Sequence, residues 1–151
     1  MSCAREARAA GQAACEAGLP VRLGWTLQGD RPDRLPSGES LSDAYEAVAE
    51  FDLEATLVNC CGANFVTRAV PILASVSPHR IGGYANAVEV IEAEEEAPIA
   101  EPEQVAKEAL DVRGYSEHVR RWIEQGATVV GGCCSTRPEH IRALRELIDA
   151  L

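Results

Sequence analysis

Two pairs of adjacent cysteines, Cys60-Cys61 and Cys133-Cys134, are the residues of this sequence best suited to chemistry. Each pair follows a short apolar run that reads as a buried strand, and α/β proteins place reactive groups at the carboxyl ends of such strands. Three thiolates with a fourth position left open are typical of a catalytic zinc, whereas a structural zinc takes four ligands from closer pairs. The spacing alone supports equally well a simpler interpretation, in which these cysteines are small buried residues.

The second cysteine pair could share one metal only if the backbone leaves strand geometry there, because adjacent side chains of a strand point to opposite faces. Gly131 and Gly132 come directly before the pair and could supply that freedom. A third hypothesis is a thiol redox protein, which would show redox-dependent thiol counts without any bound metal.

The bulk composition limits the class of protein. The 151 residues are 46% apolar, with a formal net charge of -10 that would repel a nucleic-acid backbone. No stretch approaches the roughly 20 apolar residues that span a bilayer, and no secretion signal begins the chain, so we expect a cytoplasmic protein. Six cysteines in that compartment predict reduced thiols or metal ligands, not a disulfide framework.

Apolar periodicity and turn residues predict five helices and four strands. The helices are expected over residues 2–17, 40–51, 65–76, 115–125 and 136–151, and the strands over 21–27, 55–59, 80–86 and 127–132. Gly18 and Gly126 should end the helices before them, and Ser40 with Asp43 resembles a helix cap. Pro71 should kink the third helix or shift its start.

Three further segments carry specific expectations. The strand at 80–86 is the weakest, because Gly82 and Gly83 reduce strand propensity. An acidic segment with seven glutamates between Glu89 and Glu103 reads as a solvated excursion. The last helix should begin with a capping box from Thr136 to Glu139, include Pro138 in its first turn, and present one apolar side formed by Ile141, Leu144, Ile148 and Leu151.

One helix followed by four strand-helix units predicts an α/β fold with a parallel sheet. Whole (β/α)8 barrels need about 250 residues, so four units in this length would be half a barrel. A doubly wound open sheet is the competing architecture. No Gly-x-Gly-x-x-Gly turn follows any predicted strand, so the usual signature of dinucleotide binding is absent from the sequence.

Several motifs together resemble the homocysteine S-methyltransferase family, which includes the betaine- and S-methylmethionine-dependent enzymes. The most specific is the run from Gly126 to Ile141, Gly-Ala-Thr-Val-Val-Gly-Gly-Cys-Cys-Ser-Thr-Arg-Pro-Glu-His-Ile. The other matches are Val58-Asn59-Cys60, Trp122, Gly18-Leu19-Pro20-Val21, Ser37-Gly38 before Leu41-Ser42-Asp43-Ala44, and Gly83-Tyr84-Ala85-Asn86. The resemblance covers nearly the whole chain, with the acidic segment as its loosest part.

The resemblance implies the C-terminal half of a (β/α)8 barrel and a zinc ion (Zn²⁺) bound by Cys60, Cys133 and Cys134. Cys61 would then not be a ligand, although its position next to Cys60 leaves it as an alternative. Asn59 and Asn86 could hydrogen-bond the substrate or groups around the metal, and both also suit ordinary turns.

The remaining polar and aromatic candidates have weaker expected roles. Tyr84 could face a donor cation or pack against its neighbours. His140 is expected to cap or pack, His79 and His118 have no partner identifiable from sequence, and Cys3 and Cys15 are expected to pack on the first helix.

The implied reaction is methyl transfer to the thiol of homocysteine, giving methionine, in methionine biosynthesis or methyl-group recycling. Zinc would lower the pKa of that thiol so that a thiolate forms near neutral pH. The donor would be a methylated onium compound such as S-methylmethionine, S-adenosylmethionine or betaine, or a folate. The sequence does not say which.

Residues 1–151 are therefore expected to form one partial barrel domain that lacks the family's N-terminal half. An open half barrel would expose strand edges and part of a core, which proteins seldom tolerate. Either Met1 is an internal methionine of a longer reading frame, or a second polypeptide or a second copy completes the barrel. The alternative to an enzyme is a truncated zinc-binding remnant without activity.

Overall fold

A computed structural model describes residues 1–29, 31–91 and 106–151 of the chain. Its elements, in chain order, are α1 (Ala4–Glu16), β1 (Arg22–Thr26), α2 (Leu41–Glu46), β2 (Ala55–Gly62), α3 (Ala63–Val76), β3 (Arg80–Asn86), β4 (Val88–Val90), β5 (Lys107–Ala109), α4 (Val112–Glu124), β6 (Val129–Gly132) and α5 (Pro138–Asp149). Most of the acidic segment, which was expected to be a solvated excursion, lies outside the described residues. None of the described helices is both long and apolar enough to cross a membrane.

Four strands form one parallel sheet in the order β1-β2-β3-β6. This order follows the chain without the reversal that a doubly wound sheet requires. The prediction of four parallel strands with flanking helices, as in half of a (β/α)8 barrel, is confirmed. A short antiparallel pair, β4 with β5, was not predicted. Its strands are only three residues each, too short to give an alternating pattern.

The main core lies between one face of this sheet and the helices. Trp25, Phe65 and Trp122 are fully buried in it. The indole N–H of Trp25 donates to the hydroxyl of Thr56 at 2.9 Å, so this buried polar pair is satisfied. Fully burying aromatic side chains of this kind contributes about 2 kcal/mol or more each relative to leaving them exposed.

The opposite face of the sheet carries a different set of residues. Paired residues of parallel strands point to the same face, and Trp25, Val58 and Gly83 are in register on the helical side. The residues that point to the opposite face form two rows across the four strands. The first row is Gly24, Leu57, Gly82 and Val129, and the second is Thr26, Asn59, Tyr84 and Gly131. This second face, called here the inner face, would line the interior of a closed barrel.

Helix boundaries show which local signals were read correctly. Gly18 and Gly126 have positive φ angles of 71° and 99°, each two residues after the end of α1 or α4, where they stop the helices as predicted. The hydroxyl of Ser40 accepts the N–H of Asp43 at 3.0 Å, so that cap is confirmed. Helix α2, however, ends at Glu46, before the predicted residue 51.

Two helices begin earlier than the sequence suggested. Helix α3 starts at Ala63 and continues past Pro71, so this proline neither sets the start nor ends the helix. Helix α4 starts at Val112 because the carboxylate of Asp111 accepts the N–H of Gly114 at 2.7 Å. This aspartate cap is a local signal that the sequence analysis missed.

The start of α5 differs from the predicted capping box between Thr136 and Glu139. The residue before the helix is Arg137, and its N–H donates to Nδ1 of His140 at 3.2 Å. Pro138 occupies the first turn as predicted, because its missing N–H would have no partner there. His140 is buried and packs edge-to-face on Tyr115, so the expected capping and packing role is confirmed.

The apolar side predicted for α5 is wrong in part. Leu144 is buried together with Leu147, whereas Ile141 is 47% exposed, Ile148 is 38% exposed and Leu151 is also exposed. The amphipathic pattern located the helix correctly but misjudged which of its apolar residues the described part of the protein covers.

Candidate metal centre

Strand β2 carries the first cysteine pair through an irregularity. Its register with β3 shifts between Asn59 and Gly62, and Cys60 within the shift has a positive φ of 56°. A bulge of this kind redirects one side chain out of the strict alternation of a strand. A left-handed backbone at a residue other than glycine costs about 1–3 kcal/mol and is concentrated at functional sites.

The bulge separates the two cysteines of the first pair. Cys61 is only 7% exposed and belongs to the hydrophobic core. Burial raises the pKa of its thiol to about 12. Cys61 therefore packs as an apolar residue, and the geometry favours Cys60 as the residue of this pair that can bind a ligand.

The second cysteine pair follows the end of β6. Cys133 donates its N–H to the carbonyl of Ala85 at 2.8 Å, and the carbonyl of Cys134 accepts the N–H of Ala87 at 3.0 Å. Ser135 then has a positive φ of 63°. The backbone thus leaves strand geometry at Cys133, as a shared metal site requires.

The glycines before this pair serve a different purpose from the expected one. Neither Gly131 nor Gly132 has a positive φ. A Cβ at Gly132 would stand 2.6 Å from the side chain of Thr136, so glycine is needed there for space. The hydroxyl of Thr136 also donates to the carbonyl of Cys133 at 2.6 Å, which ties the cysteine turn to the start of α5.

The sulfur atoms of Cys60, Cys133 and Cys134 lie within 4.8 Å of one another, and those of Cys133 and Cys134 are 4.0 Å apart. Tetrahedral zinc with Zn–S bonds of about 2.3 Å places its sulfur ligands about 3.8 Å apart. Burial, with smaller contributions from the two neighbouring thiols, raises the pKa of Cys60 to about 11. The donor set and its spacing fit a zinc ion, whose binding would displace the thiol protons.

Asn86 lies at the end of β3 and holds the second cysteine pair in place. Its side-chain oxygen accepts the N–H of Cys134 at 3.0 Å. This bond supports the interpretation of Asn86 as a group around the metal site. Its predicted contact with substrate stays a prediction.

Asn59 and Tyr84 lie on the inner face next to the cysteines. A Cβ at Gly24 would stand 2.7 Å from the hydroxyl of Tyr84 and 3.0 Å from the amide oxygen of Asn59, so both side chains reach across the sheet towards β1. Burial raises the pKa of Tyr84, and the nearby Cys133 and Cys60 thiols add to this effect. The substrate role predicted for Asn59 stays a prediction.

Tyr115 of α4 braces the sheet beneath the site and was missed by the sequence analysis. Its hydroxyl lies 3.0 Å from the carbonyl of Ala85 on β3 and 2.8 Å from the carbonyl of Gly131 on β6. Burial raises the pKa of Tyr115 well above its usual range, so it remains a hydrogen-bond donor. It therefore links the two strands whose ends carry Asn86 and the second cysteine pair.

His118, for which no partner was identifiable from sequence, is buried and belongs to a partly buried series of hydrogen bonds. Its Nδ1 lies 2.9 Å from the hydroxyl of Thr67 and its Nε2 lies 2.8 Å from the carboxylate of Glu89. The indole N–H of Trp122 donates to the same hydroxyl at 2.8 Å. These hydrogen bonds connect β4, α3 and α4, elements that are distant in sequence.

Replacing Thr67 by valine is expected to lower the free energy of unfolding by about 2 kcal/mol, because the buried side chains of Trp122 and His118 would each lose a hydrogen-bond partner. Chemical denaturation of the parent and of Thr67→Val measures this loss. Thr67→Ser keeps the hydroxyl and serves as the control, with a smaller loss expected. Equal stability of Thr67→Val and the parent would show that the chain of hydrogen bonds contributes nothing.

Comparisons with known proteins point to one family. The sequence model described as homocysteine S-methyltransferase matches residues 1–148. Homocysteine S-methyltransferase 1 of Zea mays is 29% identical over 117 residues, which are 76% of this chain and 34% of that protein. Selenocysteine methyltransferase of Astragalus bisulcatus is 26% identical over 115 residues, which are 76% of this chain and 32% of that protein. The chain thus spans about a third of the length of these relatives.

Solved structures show the same fold. The homocysteine methyltransferase MmuM from Escherichia coli in its oxidized form superposes with a TM-score of 0.72 at 20% identity, over 97% of this chain and 43% of MmuM. The metallated form of MmuM superposes with a TM-score of 0.68 at 20% identity, over 94% of this chain and 41% of that protein.

Proposed function

This chain belongs to the homocysteine S-methyltransferase family, and from that premise we propose that it carries the zinc site of a homocysteine S-methyltransferase, a transferase of one-carbon groups. Cys60, Cys133 and Cys134 hold the zinc ion, homocysteine is the methyl acceptor and methionine is the product. The observation that carries this proposal is the convergence of three sulfur atoms within 4.8 Å from two separate strand ends.

The proposed reaction is a direct displacement. A zinc ion bound there would act as a Lewis acid that lowers the pKa of the homocysteine thiol. The homocysteine sulfur, having released its proton, attacks the methyl carbon of an onium donor. A new C–S bond forms as the bond between the methyl group and the onium centre breaks, and the donor leaves with that electron pair and loses its positive charge.

The residues of this chain position the reaction instead of supplying an acid or a base. The bulge at Cys60 and the turn after β6 aim the three thiols at one point. Asn59 and Tyr84 line the inner face beside that point, where homocysteine and the donor would lie. Asn86 fixes the backbone of Cys134, and its side chain stays a candidate for contact with homocysteine.

The complete site needs more barrel than the described residues form. Four parallel strands make an open sheet, and the chain covers 43% of MmuM. Residues 1–151 act as the C-terminal part of a homocysteine-binding (β/α)8 barrel domain, and the rest of the barrel comes from a longer reading frame, a second polypeptide or a second copy. The alternative is a non-catalytic zinc-binding remnant, which would share the zinc site and lack the activity.

Methyl transfer distinguishes these two functions. The reduced, zinc-loaded chain is assayed alone and with the segment of MmuM that precedes the region matched by this chain, using S-methylmethionine, S-adenosylmethionine, betaine and methylfolate as donors. Methionine formation that requires the second segment supports the enzyme. Selenocysteine is tested as a second acceptor, because a relative is named for it. If the mixture binds zinc but forms no product with any donor, the chain is a non-catalytic zinc-binding remnant.

Replacing Asn86 by leucine is expected to weaken zinc binding about tenfold, because the N–H of Cys134 would lose the acceptor that holds its turn. Asn86→Asp keeps an acceptor oxygen in the same place and should retain tighter binding than Asn86→Leu. Competition with a chelator measures the zinc affinity of both variants and of the parent. Identical affinities in all three would remove Asn86 from the site.

A further inference from the structure

Asn64, in the first turn of α3, makes the hydrogen bonds of a strand partner. Its side-chain N–H donates to the carbonyl of Val90 at 2.8 Å, and its side-chain oxygen accepts the N–H of Val90 at 3.0 Å. A residue in a neighbouring strand would exchange the same two bonds through its backbone. Gly62, the residue before α3, gives the helix no side-chain cap, so Asn64 fixes the start of α3 to β4.

The space around this pair of hydrogen bonds is tightly filled. A Cβ at Gly62 would stand 2.7 Å from the amide oxygen of Asn64 and 2.7 Å from Cγ2 of Val90. Gly62 has a φ of -62°, which any residue adopts, so glycine is needed there for space. Val90 is buried, and bonds that are shielded from water hold their geometry more strongly.

Cys60 lies between two fixed points of the backbone. The pairing of β2 with β3 is regular up to Asn59 and resumes at Gly62, and Cys60 lies within the shift between them. Its left-handed backbone, with a φ of 56°, persists only where the surrounding structure imposes it. The second fixed point turns directly into α3, whose start is held by Asn64, so the direction of the Cys60 side chain depends on that hold.

The segment of chain that holds Asn64 also holds the second cysteine pair. The N–H of Ala87 donates to the carbonyl of Cys134 at 3.0 Å, and Val90 follows three residues later in β4. Residues 87–90 therefore support the corner after Cys60 and the turn at Cys134 at once. Loosening the bonds at Val90 should move the first cysteine relative to the second pair.

We infer that Asn64 is a positioning residue, which turns the thiol of Cys60 towards Cys133 and Cys134 by fixing the start of α3 to Val90. The inference rests on the proposed function only in the use made of this arrangement, the binding of zinc. With zinc bound, loss of the Asn64 amide should weaken the affinity about tenfold, as for other groups that orient metal ligands.

The test compares the separation of two thiols in the reduced, metal-free chain. In a Cys134→Ser background, dibromobimane, a short bis-alkylating reagent, can bridge Cys60 and Cys133, whose sulfur atoms lie within 4.8 Å. Peptide mass spectrometry measures the rate of bridging. Asn64→Leu, which keeps the size of the side chain and removes both bonds, should slow bridging about tenfold, because the second alkylation requires the two sulfur atoms to be close. No zinc or substrate is present, so failure of the proposed chemistry leaves this result unaffected.

Two further variants separate positioning from general stability. Asn64→Asp keeps the acceptor for the N–H of Val90, should bridge at an intermediate rate, and decides the test if Asn64→Leu does not fold. Val70→Ala removes buried side-chain atoms more than one turn further along α3, so it should lower the melting temperature but keep the parent rate of bridging. Bridging at the parent rate in the folded Asn64 variants, or equal slowing by Val70→Ala, would overturn the inference.

Discussion

Serine in place of Cys60, Cys133 or Cys134 is expected to abolish stoichiometric zinc binding, with a loss of affinity of more than about 100-fold for each variant. Even groups that only orient metal ligands contribute 10- to 100-fold, so a missing ligand should cost more. The three sulfur atoms form one cluster, and two thiolates would leave the ion half-coordinated. Zinc per chain in the purified, reduced protein measures the effect.

Cys61→Ser is the matched control, since it alters the neighbouring cysteine of the same strand. Cys61 is buried in the core, so this variant should lose stability but keep about one zinc per folded chain. If Cys61→Ser lost zinc while Cys60→Ser kept it, the assignment within the first pair would be reversed. A well-folded parent that binds no zinc would mean that the site forms only with the rest of the barrel, or that these cysteines do not serve as ligands.

Alanine in place of Gly82 is expected to lower the free energy of unfolding by about 3 kcal/mol and the melting temperature by about 10 °C. A Cβ at Gly82 would overlap the backbone carbonyl of Val129, with which Gly82 is paired across β3 and β6. A backbone atom cannot turn away as a side chain can, so the two strands would have to separate. Separation would also move Cys133 and Cys134 away from Cys60, so zinc binding should weaken in parallel.

The control for this second substitution is Gly131→Ala in the adjoining strand. There the new methyl group would meet the Cβ of Tyr84 at 3.5 Å, an ordinary contact. Thermal unfolding and zinc titration are measured for both variants, so that a methyl group that clashes is compared with one that fits in the same sheet. A Gly82→Ala protein as stable as Gly131→Ala would contradict the close approach of β3 and β6.

Sequence patterns located the strands and the cysteines well, because buried parallel strands leave a strong local signal. The apolar runs before Cys60 and before Cys133 predicted two strands, and their carboxyl ends do meet at one edge of the sheet. The strand with Gly82 and Gly83 was the weakest prediction because glycine has a low strand propensity. Packing explains why glycines occur in this strand, since they allow close contact with β6 and with α3.

Features that depend on contacts between distant residues were not predictable in this way. The bulge at Cys60 is set by pairing with β3, and the alternation of an ideal strand would have turned this side chain elsewhere. The bonds of His118 join it to residues 29 and 51 positions away. The burial of Leu147 in place of Ile141 depends on how α5 packs on α4, which helical periodicity does not specify.

The direct test of the central claim is X-ray absorption at the zinc edge of the zinc-loaded chain, before and after addition of homocysteine. The proposed site predicts three sulfur neighbours at about 2.3 Å in the free protein, and a fourth when homocysteine is added. The measurement is repeated in the presence of the MmuM segment. A first shell that contains fewer than three sulfur atoms, or one that homocysteine leaves unchanged under both conditions, would contradict the account.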